Sequence, residues 1–259
     1  SGYTLEWKGE RTGPAPIDGS VFRPDVLCAL EPAAVAAQTI RVGRTHVPLG
    51  GRFRIVPHDY HGQIALDGAP PLDRLGASMR SGELMILGDA GDDLGASMRG
   101  GVIRVTGSAG HRVGGPDAAS DRGMTGGEIF VEEHAGDFVG LRMRRGLIAV
   151  HKSAGRSPGY RMLAGTVFVG DGPLDAPGLE MRRGTILAPR LGAPWQPPPH
   201  LADEGVFNAR EFPVIQLLFR RLKQAVGWEF HASMLQGMYQ LFSGDRFELG
   251  RGEVWQWVS

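Results

Sequence analysis

The sequence predicts an all-β chain wound as a right-handed parallel β-helix, a solenoid of about 19 residues per coil with an N-terminal cap and a C-terminal helix. Three observations predict it. First, a phrase of the form Gly-x-Ile-x-Val, a Gly/Ala-rich turn and then Gly-x-x-Met opens at Gly82, Gly101, Gly127, Gly146, Gly165 and Gly184, in steps of 19, 26, 19, 19 and 19 residues. Met79, Met98, Met124, Met143, Met162 and Met181 recur with the same steps. Second, apolar residues sit two apart inside each phrase (Ile103 and Val105, Ile129 and Val131, Ile148 and Val150), which is a short strand with one buried face. Third, 19 residues are too few for a strand–helix–strand crossover of about 30, but they suit one coil pairing with the next at about 4.8 Å. The hand follows the general rule for parallel crossovers.

Residues 1–43 lack the phrase and read as a cap. Tyr3–Trp7 alternates like a strand, and Glu31–Ala37 reads as a short helix. Residues 44–190 form the predicted solenoid, opening with two degenerate coils whose strands are Phe53-Arg54-Ile55 and Ile64-Ala65-Leu66. Stacked coils bring like residues together in an Ile/Val ladder, a small-residue ladder (Ala90, Ala109, Ala135, Ala154) and a methionine ladder. Each buried Ile, Val or Met contributes roughly 1.5–3 kcal/mol, so neighbouring coils depend on one another. The long step carries an insertion near Pro116–Arg122, which becomes a loop on one face. A Pro-rich exit over Pro189–Pro199 leads to the extension, residues 191–259. There Ile215, Leu218, Phe219, Leu222 and Val226 keep helical spacing opposite Arg220, Arg221 and Lys223, so Val214–Val226 is a helix lying on the solenoid or on a partner, ahead of a β-like tail.

Composition bounds the function. Glycine supplies 40 of 259 residues, against an ordinary share of about 7%. Formal net charge is zero, so no global attraction to nucleic acid or to an anionic membrane is implied. A single cysteine, Cys28, excludes a disulfide framework, a thiolate zinc site and a cysteine-held cluster within the chain. No hydrophobic leader opens the sequence and no apolar run approaches the ~18 residues of a span, so the expectation is a cytoplasmic protein. Turns such as Gly88-Asp89-Ala90-Gly91 resemble phosphate loops, but no helix pattern follows them.

No nucleophile–base pair, His-x-His or Glu-x-x-His stands out, and no catalytic or metal residue is assigned. Two constellations remain. Ten residues past successive phrase starts lie Asp92, His111, Asp137, Arg156 and Asp175. An Asp92–His111–Asp137 column is able to do acid–base or metal chemistry, against the plainer reading of a solvated turn column, where Asp is favoured anyway. The second is a basic band. Phe138–Gly170 contains no acidic residue but holds Arg142, Arg144, Arg145, Lys152, Arg156 and Arg161, and Arg182 and Arg183 repeat Arg144 and Arg145 two coils on. An anionic partner would relieve the repulsion of stacked cations, and arginine forks suit carboxylates. The plainer reading is solvated arginines answered by glutamates elsewhere in the fold.

Gly76-Ala77-Ser78-Met79, Gly88-Asp89-Ala90-Gly91, Gly95-Ala96-Ser97-Met98-Arg99-Gly100-Gly101 and the tail Ser243–Glu253 carry a resemblance. The repeats resemble the β-helical domain at the C-terminus of glutamate synthase. Repeats and tail together are more similar to the repeat-bearing subunit of formylmethanofuran dehydrogenase and its bacterial counterpart in the formyltransferase/hydrolase complex, over roughly residues 45–255. That resemblance implies a non-catalytic scaffold subunit of a cytoplasmic one-carbon complex. It implies amidohydrolase-like, formyltransferase and molybdopterin-enzyme-like partner subunits, metals held by those partners, no cofactor on this chain, and substrates built on tetrahydromethanopterin and a methanofuran-type carrier. The carrier's polyglutamate-type tail is a candidate ligand of the basic band. Arg outnumbers Lys heavily, which points toward a high-GC genome and so the bacterial complex of methylotrophs over the archaeal molybdenum or tungsten enzyme. Two rivals are a glutamate-synthase-type coupling domain, which the separate N-terminal cap argues against, and a stand-alone carbohydrate-active β-helix.

Overall fold

The alternating residues of the repeated phrase do form strands. The protein is described by a computed structural model over residues 1–9, 16–172, 174–189, 195–248 and 250–258. In chain order its strands are β1 (Gly2–Trp7), β2 (Ile17–Asp18), β3 (Thr39–Val42), β4 (Thr45–Pro48), β5 (Phe53–His58), β6 (Gln63–Asp67), β7 (Glu83–Leu87) and β8 (Val102–Val105). They continue with β9 (Glu128–Val131), β10 (Leu147–Val150), β11 (Thr166–Val169), β12 (Thr185–Ala188), β13 (Ala202–Asn208), β14 (Met238–Gly244) and β15 (Gly252–Trp257). The helices are α1 (Pro24–Leu27), α2 (Pro32–Ala37), α3 (Leu49–Arg52), α4 (Pro213–Val226) and α5 (Ala232–Gln236).

Strands β6 to β12 pair in sequence order and in parallel, so that Ile64, Leu84, Ile103, Ile129, Ile148, Val167 and Ile186 stand in one row. Both ends of the chain join this sheet. Strand β1 pairs in parallel with β6, and β5 runs antiparallel outside it. At the other end β15 pairs in parallel with β12, placing Val254 beside Ile186, and β14 and β13 follow antiparallel. The result is one twelve-stranded mixed sheet, with β2, β3 and β4 in a separate small sheet.

This corrects the expected closed, all-β, right-handed solenoid. The molecule is a mostly parallel mixed sheet of α/β type with few helices, and each repeat gives it one strand. The sides that a closed coil would build from further strands are turns, joined only by bridges such as Ala109–Ala135 and Ala135–Ala154. The cause is backbone conformation. Ser78, Ser97, Phe138, Arg142, Ser157 and Arg161, all between a strand and the next, have φ of 50–62°, where extended pairing is impossible. Strand β5 is likewise antiparallel where a degenerate coil was expected. The strand at Tyr3–Trp7, the helix before Ala37 and the helix ending at Val226 are present as β1, α2 and α4. The expected Pro-rich exit lies partly outside the described residues.

Two cores flank the sheet. On the inner face the aliphatic row packs against the six methionines, each fully buried. Each methionine ends on the glycine that opens the next phrase. A Cβ added at Gly165 would lie 2.8 Å from Met143 Cε, one at Gly184 2.7 Å from Met162 Cε, and one at Gly127 2.6 Å from Met98 Cε. Glycine is therefore required at these places by the methionine as well as by its positive φ. On the outer face Phe130, Leu147, Ala149, Phe168 and Leu187 are covered by Ile215, Phe219 and Leu222 of α4 with Trp228, Tyr239 and Trp255. Helix α4 starts with Pro213 in its first turn, a position without a needed N–H, and stops at Gly227 with φ of 75°.

The methionine–glycine contact makes a quantitative prediction. Met143→Ala should lower stability by about 2–5 kcal/mol through the cavity it leaves. Gly165→Ala should also destabilise, because its Cβ meets Met143 and its φ is +110°. The double variant should fall short of the sum, since removing the thioether vacates the space the new methyl needs. Urea unfolding of the four proteins measures it; strict additivity would refute the contact.

Candidate functional site

The Asp92–His111–Asp137 column is assembled as expected, one residue per repeat, and its side chains are already engaged. Asp73 Oδ1 accepts the backbone N–H of Asp92 at 2.9 Å, and Asp92 Oδ1 accepts that of His111 at 2.8 Å. His111 Nδ1 accepts the N–H of Asp137 at 3.0 Å, and Asp137 Oδ1 accepts that of Arg156 at 2.8 Å. Each side chain thus caps an N–H of the next repeat's turn. Accepting at Nδ1 requires His111 to carry its ring proton on Nε2. Arg112 closes the column from the side, with Nε 2.7 Å from Asp93 Oδ1 and Nη2 3.2 Å from Asp92 Oδ2. At its first position, burial pushes the Asp73 carboxyl above the ordinary range, with Asp92, Asp93 and Asp18 adding to the effect against the pull of the Asp92 N–H. Among the described residues no group of three or more His, Cys, Asp or Glu side chains is placed to hold a metal ion.

The basic residues divide into three groups. Arg142, Arg144, Arg161 and Arg182 line one polar groove together with Asp121, Arg122, Leu163, Glu180 and Glu248. Lys152 and Arg156 lie outside it, paired with Glu133 and with Asp175 (3.2 Å) respectively. Arg145 and Arg183 are exposed just ahead of β10 and β12 and do not line the groove.

Within the groove one acidic residue organises the floor. Glu180 Oε2 accepts from Arg161 Nε at 2.7 Å and its Oε1 from the Tyr160 hydroxyl at 2.9 Å, while its own N–H is held by Asp245 Oδ2 at 3.0 Å. The Arg161 hydrogen bond holds the Glu180 carboxyl below the usual glutamate range despite desolvation, helped by Tyr160 and the charges of Arg161 and Arg142. The same contacts raise Arg161 and Tyr160. Arg144 and Arg182 are exposed and have no ion-pair partner among the described residues.

Sequence reasoning missed why Arg144 and Arg182 share a line. The residue after each methionine is Arg80, Arg99, Thr125, Arg144, Leu163 and Arg182. Their backbones stack, with Arg99 N–H on Met79 O, Arg144 N–H on Met124 O and Arg182 N–H on Met162 O, and Arg251 N–H continues onto Arg182 O. Five arginines therefore occupy a seven-position row that rises about 4.8 Å per step, some 29 Å in all. Reading the column beside the methionines would have found it. Arg144 and Arg182 stand about 9.6 Å apart, where their repulsion in water is roughly 0.4 kcal/mol. Folding tolerates that without a counter-ion, and a partner that excludes water would make the charge matter more. The insertion adds Arg122, and next to it Ser78, Ser97, Arg99, Asp117 and Thr125 line a second polar hollow that shares Asp121 and Arg122 with the groove.

No family model matches the sequence, and no curated protein matches it. Among solved structures, a chain of the X-ray crystal structure of the formyltransferase/hydrolase complex (FhcABCD) from Methylorubrum extorquens in complex with methylofuran is 29% identical. It superposes with a TM-score of 0.78, covering 99% of this chain and 100% of that one. The chain resembles a subunit of that formyltransferase/hydrolase complex. No described helix is long and apolar enough to cross a membrane.

Two measurements check the site. In the turn column, Asp92→Ala should cost about 1 kcal/mol by leaving the His111 N–H uncapped, whereas His111→Asp should restore an Asp-type cap and leave stability within about 0.5 kcal/mol. Equal losses in urea melts for both would contradict the capping role. In the groove, Glu180 has a folded-state pKa below its unfolded value, so its contribution is complete above the ordinary glutamate pKa and fades as pH falls through the lowered one. The difference in urea midpoint between the protein and its Glu180→Gln variant should accordingly be constant at neutral pH and shrink below about pH 4. A difference independent of pH across that range would contradict it.

Proposed function

We propose that this chain is the non-catalytic, repeat-bearing scaffold subunit of a one-carbon complex. That complex transfers a formyl group from formyl-tetrahydromethanopterin to a methanofuran-type carrier and releases formate. The observation that carries the reading is the end-to-end match to a chain of the formyltransferase/hydrolase complex, which leaves almost none of either chain uncovered. The partners in this reading are amidohydrolase-like, formyltransferase and molybdopterin-enzyme-like subunits, and these hold the carrier chemistry and the metals. The side chains of this protein supply surfaces. The turn column is committed to backbone capping, whereas the arginine row is solvent-facing and largely unpaired.

The row's chemistry suits an extended anion. Guanidinium forks at multiples of about 4.8 Å along one line favour a chain of carboxylates over a single compact anion. The carrier's polyglutamate-type tail, or an acidic strip on a neighbouring subunit, is the ligand of that description, with Glu180 and Glu248 setting the groove's limits.

Purification of the native complex with mass analysis and a metal assay tests the assignment. The chain is expected in stoichiometric amount beside the catalytic subunits, with metal accounted for by those subunits. A complex that assembles and turns over fully without it would overturn the proposal. Arg144→Glu combined with Arg182→Glu should weaken binding of a glutamate oligomer or of the partner subunit by about tenfold or more at low salt, the gap narrowing as salt rises. Unchanged assembly, oligomer affinity and turnover in that variant would remove the groove's part in it.

A further inference from the structure

A second surface, away from the arginine groove, carries its own signature. Helix α4 covers the outer face of the sheet incompletely. Between it and the starts of β10, β11 and β12 runs an apolar groove, walled by Val214 and Leu217 and floored by Leu147, Leu187 and Leu218. Val214 is 46% and Leu217 58% exposed, although both stand on the side of the helix that faces this groove. Contiguous apolar surface of this kind marks an interaction site. Its rim is cationic. Arg145 and Arg183 precede Leu147 and Thr185 by two residues each, are exposed, and have no ion-pair partner among the described residues. The carboxylates near by are already used: Glu128 binds Arg221, with Arg221 Nε 2.8 Å from Oε1, and Glu253 accepts from Trp255 Nε1 at 3.0 Å.

The geometry points to one occupant: an acidic amphipathic helix of a neighbouring subunit, its apolar side in the α4 groove and two carboxylates on Arg145 and Arg183. Spacing supports this. The two arginines lead strands two places apart, about 9.6 Å, and seven residues of helix rise about 10.5 Å. Two acidic residues at i and i+7 therefore meet both arginines while the apolar positions between them face Leu217. The identity of the partner as a subunit rests on the reading above; the groove and its charged rim do not.

A benzophenone side chain placed at Leu217 in the native complex, with photolysis and peptide mapping, tests the proposal. The expected product joins Leu217 to a helical segment of a partner subunit that bears acidic residues about seven apart. Arg145→Glu with Arg183→Glu should lower its yield about tenfold, while Arg144→Glu with Arg182→Glu leaves it unchanged. Circular dichroism of each variant confirms that it is folded. Adducts joining two copies of this chain, adducts confined to this chain, no adduct, or a yield indifferent to Arg145 and Arg183 would each overturn the inference. If the chain co-purifies with the catalytic subunits and any of these results is found, only the groove assignment fails. If the unmodified chain co-purifies with no other protein of the complex, the scaffold reading fails first.

Discussion

The contact on which the molecule depends is a methionine ε-methyl resting on a glycine one repeat further along. It couples the phrase in both directions. The glycine must lack a side chain because the thioether fills its place, and the thioether is buried only because the next strand arrives in register. A slip of one residue in any strand would turn the aliphatic row outward and leave the methionine without its seat. Six such contacts, the last made by Met181 on Gly252, set one spacing for everything built on the turns.

That common spacing explains how two unlike features share a scaffold. The turn column and the arginine row are both residues repeated at fixed offsets from the same strands. In the column, short polar side chains reach the N–H of the following turn and become part of the framework. In the row, the side chains are long and carry charge, so the stacked backbones hold only their Cα positions and the guanidinium groups extend to solvent. Residue length decides whether a position serves stability or contact.

Much of this was legible in the residues, and the failures have physical causes. Period-two alternation located β7 to β12, and the 3.6-residue pattern located α4, because both elements expose one face and bury the other. The closed coil was not borne out, because the turns hold left-handed non-glycine residues such as Ser97 and Arg161, whose conformations no hydropathy pattern records. The outer core was also missed, although Phe130, Leu147, Phe168 and Leu187 occupy positions that a one-faced strand would leave polar. The basic band was read as one surface, but Lys152 and Arg156 meet Glu133 and Asp175 from adjacent repeats while Arg144 and Arg182 do not meet an acid. Pairing across repeats depends on which way each side chain leaves the turn, and a linear string does not contain that direction.

Strand β15 sits next to β12 although about 60 residues separate them in the chain. During synthesis β12 therefore emerges with its hydrogen-bonding edge open and with Leu187 uncovered, and it stays so until the hairpin of β14 and β15 has been made and has returned. A long-range closure of this kind slows folding and leaves a sticky intermediate. Nascent chains arrested between the two strands should thus be the species most in need of a chaperone, or of an early-binding companion, in the life of this protein.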